Sequence, residues 1–281
     1  MASKLSATRR ITSGFTDHRI KLVNQALTGA RLMKINGWEN IFIELIEATR
    51  NQEVGSLRIL VDPWLRGMLS FPPGPWFLRG ELGTEQPIPG DLDLLLLTQG
   101  LADHAHPATL RLLPRDLPVV GSAAAARVVK SLGFDAVTEL KPGESSQHQQ
   151  LTIRATAGAP VPQVENGYLL HHPDGQLYLE PHGFLDPSLP PQPLDAVITP
   201  MVDLGLPLAG AFVKGCTVVP ELVKRFQPRT VLASTSGGDV RFEGALSGLL
   251  QMAGSAAETA TCLPAETRWL NSSPGERYQL R

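Results

Sequence analysis

Two short stretches of this chain concentrate the side chains that do chemistry. Thr98-Gln99-Gly100-Leu101-Ala102-Asp103-His104-Ala105-His106-Pro107 puts one carboxylate and two imidazoles within four residues, and Glu180-Pro181-His182-Gly183 adds another of each. Two or three histidines with a carboxylate are enough to hold zinc, manganese or iron. The candidate metal set is therefore His104, His106, His182 and Asp103. The same residues have plainer uses. His106 can flank a helix start ahead of Pro107, His104 can hydrogen-bond Asp103 or Asp62, and Glu180 and His182 can form a buried polar pair.

Other chemistries find less support. There is no Gly-x-Ser-x-Gly elbow for a serine nucleophile and no Gly-x-x-x-x-Gly-Lys-Ser/Thr loop for nucleotide phosphates. Cys216 and Cys262 are the only cysteines; without CxxC spacing they read as small core residues in a reducing compartment. His171-His172 alternates across a strand before a turn, and Ser234-Thr235-Ser236-Gly237-Gly238 is a common type of polar loop. Phe71, Trp76 and Phe77 among Pro72, Pro73 and Pro75, together with Trp64, read as a packed surface loop or a lid.

The elements that must position these groups alternate between strand and helix. Leu57–Val61 reads as a strand stopped at Asp62-Pro63, because proline forces the residue before it out of helical geometry. Leu94–Leu97 is wholly apolar, as a strand covered on both faces must be. Pro107 suits the first turn of a helix through Leu113; strand Pro118–Gly121 and helix Ala123–Leu132, closed by Gly133, follow. Gln150–Ala155 and Tyr168–His172 read as strands, and Pro173-Asp174-Gly175 turns the chain into Leu177–Leu179 as a hairpin. Strand Asp195–Thr199, helix Val218–Phe226, strand Val231–Ser234 and helix Phe242–Met252 complete the pattern.

The first 53 residues are unlike the rest: they hold none of the 24 prolines. Ile20, Val23, Leu27 and Ala30 form one helical stripe, capped by Thr16, and Trp38, Ile41, Leu45 and Ala48 form another. The expected division is thus a helical segment over 1–53, able to dock on the main domain or on a protein partner, and a larger domain over 54–281. With 42% hydrophobic residues and a formal net charge of -2, the chain has material for a core and no global basic field for nucleic acid. No apolar run approaches the roughly 20 residues of a membrane helix.

Two resemblances follow from these residues. The loop from Thr98 to Pro107 is similar to the Thr-His-x-His-x-Asp-His signature of the metallo-β-lactamase superfamily, with Gln99 and Leu101 where the first two histidines stand. Together with Asp62-Pro-Trp-Leu65, Glu165-Asn-Gly-Tyr168 and Tyr178-Leu-Glu-Pro-His182, it resembles a subgroup of that superfamily from cyanobacteria and plastid-bearing eukaryotes. The resemblance implies an α/β fold, a four-layer αβ/βα sandwich, in which both loops share one edge and Asp103, His104, His106, Glu180 and His182 converge. It further implies one divalent metal, Asp103 or Glu180 as proton acceptor, and a hydrolase of unknown small-molecule substrate in the cytoplasm or a plastid. Asp62 would orient the site, with Gln99 as a second supporting residue. The classical histidines are also absent from Thr156–Pro160 and from Ala233–Gly238. The alternative is therefore a pseudoenzyme, a binding or scaffold protein with a degenerate metal site.

The segment Asp17–Glu39, with Arg50 and Glu53, resembles the cytoplasmic helical extension of multidrug-resistance-type ABC transporters, which implies a chimeric N-terminus; a transporter fragment is the remaining alternative. The fold implied downstream normally opens with two strands before the one ending at Asp62. Either Ile41–Ile46 serves as a strand or the helices cover the gap.

Overall fold

A computed structural model describes residues 41–45, 57–159, 164–207, 210–234, 240–273 and 276–280. The first sheet opens with strand β1 (Ile41–Leu45), antiparallel to β2 (Leu57–Val61). A small hairpin, β3 (Leu69–Phe71) and β4 (Leu78–Leu82), leads to β5 (Leu94–Leu97), which runs parallel to β2. After the short helix α1 (Pro107–Leu110) come β6 (Val119–Gly121), α2 (Ala123–Ser131) and β7 (Val137–Glu139), giving the order β1-β2-β5-β6-β7.

The second sheet is built from β8 (Ser145–His148), β9 (Leu151–Ala157), β10 (Asn166–His172), β11 (Gly175–Leu179) and β12 (Ala196–Pro200). Beyond β12 lie the hairpin β13 (Asp203–Leu206) and β14 (Gly210–Lys214), helix α3 (Gly215–Phe226) and β15 (Thr230–Ser234). Strands β16 (Val240–Glu243) and β17 (Gln251–Ala253), helix α4 (Ala256–Ala260) and β18 (Arg268–Asn271) follow. The second sheet has the order β18-β15-β12-β11-β10-β9-β8.

Side-chain alternation stacks these pieces into four layers. Ile59 and Val61 of β2 and Leu94 and Leu96 of β5 point at the second sheet, meeting Ile153, Leu170, Leu179 and Ile198. Their neighbours Leu60, Leu95 and Leu97 point the other way, onto Leu110, Ala125 and Val129. That two-sided burial is why β5 is leucine throughout. On the far side, Val197, Leu222 and Phe226 pack α3 against the second sheet. This arrangement is the expected αβ/βα sandwich.

Several expectations need correction. Cys216 is half-buried and Cys262 exposed, so neither is a core residue. Residues 41–45, part of the second N-terminal stripe, form a strand; the strand alternative holds there, and the first stripe lies outside the described residues. The helix from Pro107 stops at Leu110 instead of Leu113. Phe242–Met252 is not a helix: Val240–Glu243 pairs with β4, Ser247–Leu249 is one 3-10 turn, and Gln251–Ala253 pairs with β13. Gly244 explains the break, with φ +118 and its Cα so close to the Phe77 carbonyl that an added Cβ would sit 2.6 Å from that oxygen. Ala245 and Leu246 then donate to the carbonyls of Trp76 and Phe77, so tertiary backbone pairing overrides helical periodicity. The aromatic-proline segment is that β3–β4 region, with Trp64 buried and Trp76 exposed. No described helix is long and apolar enough to cross a membrane.

Candidate metal centre

The chemistry-bearing loops all leave the same sheet edge. β2 and β5 are parallel in one sheet; β9 ends, β10 begins and β11 ends on one side of the other. Asp62, at the end of β2, adopts φ +40, a left-handed conformation that aspartate tolerates better than most residues with side chains. From there its Oδ1 accepts the Thr98 N–H at 2.8 Å, and its Oδ2 accepts the Thr98 hydroxyl at 2.6 Å and the His104 Nδ1–H at 3.0 Å. Burial pushes the Asp62 carboxyl up to about 8, against those hydrogen bonds and the charge of His182. Burial holds His104 down to about 4, so its imidazole is neutral at pH 7. With Nδ1–H committed to Asp62, His104 turns its Nε2 lone pair inward. A carboxylate behind the ring of a metal-ligating histidine fixes the tautomer in this way.

Inside the edge, His104 Nε2 faces the Gln99 amide nitrogen at 2.9 Å and Asp103 Oδ2 at 3.5 Å. His182 comes from the loop after β11, and its Nδ1–H donates to Glu165 Oε1 at 2.6 Å. Burial opposes charge on His182, but Glu165, with Asp103 and Glu180, carries its pKa up to about 9. Glu165 sits immediately before β10, where Oε1 also accepts from Gln99 Nε2 at 3.4 Å and Oε2 accepts the Ala159 N–H at 3.1 Å. One donor atom each from His104, Glu165 and His182 lies within 4.8 Å of the others, and all three residues are buried. The two imidazole centroids are 5.2 Å apart.

The remaining expected residues divide into neighbours and outsiders. Asp103 is 2% exposed; its pKa is raised by burial, and its Oδ1 has no hydrogen-bond partner among the described residues. Glu180 is buried, which pushes its pKa up to about 8, but its oxygens serve its own turn. They accept the N–H groups of His182 at 3.1 Å and Gly183 at 2.5 Å, and the Thr199 hydroxyl at 3.3 Å. That geometry suits holding His182 in place better than taking a proton. The structure does not bring His106 to the cluster. It caps α1, accepting from Thr109 N–H at 3.4 Å, while its Nε2–H donates to the Met68 carbonyl at 3.2 Å. Its ring also lies 5.9 Å from that of Trp64. Glu165, which the sequence reading did not place in the site, completes the cluster instead; its one signal was its place at the head of the Glu165-Asn-Gly-Tyr168 motif.

This fold is shared with solved structures. A possible metal-dependent hydrolase from Veillonella parvula is similar with a TM-score of 0.57 and 14% identity, over 86% of this chain and 95% of that one. An isothiocyanate hydrolase from Delia radicum gut bacteria is similar with a TM-score of 0.57 and 17% identity, over 88% and 96%. Residues 48–234 match the beta-lactamase superfamily domain, and the chain belongs to that superfamily. A separate similarity is short. Fifty-eight residues are 43% identical to ATP-binding cassette sub-family C member 8 of Rattus norvegicus, covering 21% of this chain and 4% of that protein. Sixty-three residues are 41% identical to sub-family C member 4 of Mus musculus, covering 22% and 5%. The chain thus spans only a small fraction of the curated relatives it matches.

The residues present fit a divalent ion. Two histidines and a glutamate are a donor set found in catalytic zinc sites, and bonds of about 2 Å place tetrahedral ligands about 3.3 Å apart. A spread within 4.8 Å therefore needs only small side-chain closure. Asp103 and Gln99, which reach His104 Nε2 through Oδ2 at 3.5 Å and Nε2 at 2.9 Å, each carry a further oxygen without a hydrogen-bond partner among the described residues.

Proposed function

We propose that the chain is a metal-dependent hydrolase whose centre uses His104, Glu165 and His182. The convergence of these three buried donors at one sheet edge carries the reading. A divalent ion bound there would polarise the scissile group of an ester, amide or phosphoester and acidify a water molecule. The protein's own part is positional. Asp62 fixes the His104 tautomer, and Glu180 holds the turn that presents His182. Asp103 would take the proton; its buried carboxyl, with pKa raised by burial and an Oδ1 lacking a hydrogen-bond partner among the described residues, supports that role.

The test is the metal content of tag-free protein together with chelator-sensitive turnover of an ester, amide and phosphoester panel. About one ion per chain, lost in Glu165→Ala and His182→Ala with the turnover, is the expected result. No retained zinc, manganese or iron after repletion, with no turnover, would overturn it. The competing reading is a binding or scaffold protein without catalysis. It draws on the 2.6 Å His182–Glu165 ion pair, which lets these groups satisfy one another as a polar core.

A further inference from the structure

We propose that Gln99 is itself a ligand of this centre, one that turns its amide over when an ion enters. The inference rests on the reading that His104, Glu165 and His182 hold a divalent ion. In the structure the Gln99 side-chain nitrogen lies 2.9 Å from His104 Nε2 and 3.4 Å from Glu165 Oε1, giving one N–H to each. These are the lone pairs that a cation would draw, so the amide's electropositive end stands in the cation's place. The other end is the anomaly. Gln99 is 1% exposed, and its Oε1 has no hydrogen-bond partner among the described residues.

A buried acceptor left without a partner loses its hydration and gains nothing in exchange. With no ion, turning the amide over would not relieve it. Oε1 would then face the Glu165 carboxylate and both N–H bonds would be lost. A cation among His104, Glu165 and His182 reverses that balance, repelling the amide hydrogens and attracting the carbonyl oxygen. The two ends of a primary amide are nearly equal in size, so the exchange needs no repacking. Gln99 then supplies an oxygen donor where the family signature has a histidine. The orphaned acceptor becomes a bound one.

The experiment is a zinc titration against a chromophoric chelator for wild type, Gln99→Leu and Gln99→Glu, with thermal melts of the metal-free proteins as the folding control. Leucine keeps the bulk without donor or acceptor, and glutamate supplies a better oxygen ligand. Gln99→Leu is expected to weaken zinc binding about tenfold or more, and Gln99→Glu to tighten it by a similar factor. Tighter binding by Gln99→Leu would show the amide to be only a plug, and equal binding by all three would remove it from the site; either result overturns the proposal. Should Gln99→Leu fail to fold, Gln99→Glu decides alone, since an unchanged affinity is fatal to the ligand role. Absence of zinc binding by wild type and variants alike overturns the parent reading, and this one with it.

Discussion

Asp62 is the residue whose removal makes the sharpest energetic statement. Alanine at this position takes away the acceptor for three donors at once, the Thr98 N–H, the Thr98 hydroxyl and the His104 Nδ1–H. Thr98 and His104 are fully buried, so water does not replace it. Each orphaned donor costs about 1–3 kcal/mol, but two offsets apply. His104 Nδ1–H can donate to the Thr98 hydroxyl oxygen, 3.0 Å away, and the cost of burying the carboxylate itself disappears. Left-handed backbone at φ +40 adds about 1–2 kcal/mol for alanine. The net expectation for Asp62→Ala is a loss of about 2–4 kcal/mol, which lowers Tm by roughly 5–10 °C in a domain of this size. Asp62→Asn keeps an acceptor for Thr98 N–H and tolerates the backbone, and should lose only about 1–2 kcal/mol. Asp62→Gly isolates the backbone part and should be less damaging than Asp62→Ala by about 1 kcal/mol. Urea and thermal unfolding followed by circular dichroism measure all three. Asp62→Ala within about 1 kcal/mol of wild type, or no worse than Asp62→Asn, would refute the hydrogen-bond accounting.

Two further perturbations test the surroundings. Asp186 accepts from Ser188 N–H and hydroxyl and from Ala157 N–H; burial works against its charge, but these bonds keep its pKa below the usual value of 3.8. A depressed carboxylate contributes stability above its unfolded pKa and loses it as pH falls through the folded one. Asp186→Asn should therefore cost about 1–2 kcal/mol at pH 7, a gap that closes below about pH 4 in denaturant titrations at several pH values. A Cβ at Gly80 would lie 2.8 Å from the Trp64 ring and 3.0 Å from Phe242. Gly80→Ala should destabilise by about 1–3 kcal/mol, and Trp64 fluorescence on unfolding reports it.

Much of this was legible because burial writes itself into sequence. Leu94–Leu97 announces a strand covered twice, and Asp62-Pro63 marks where its neighbour ends. The Pro173–Gly175 turn fixes the β10–β11 pairing that brings Glu180 and His182 to the edge. The failures share another cause. Helical spacing in Phe242–Met252 yields to pairing with β4 and β13, partners 160 and about 50 residues upstream that no local window contains. Glu165 escaped because the expected donor was a histidine in the loop directly after β9, whereas the chain delivers a carboxylate from the start of β10. His106, two residues from His104, faces the other side of its loop and spends its ring on a helix end.

Thr109 gives the site one more property. Its hydroxyl oxygen accepts from Leu65 and Arg66 N–H at 2.9 and 3.2 Å and lies 3.3 Å from His106 Nδ1. The loop after β2 and the loop after β5 are thus riveted together at two points, Asp62 on Thr98 and His104, and Thr109 on residues 65 and 66. Two crosslinks leave little relative freedom between His104 and the Asp62 carboxyl that orients it. The entropy of arranging that wall is lost when the chain folds, so an arriving guest meets a rigid half-socket.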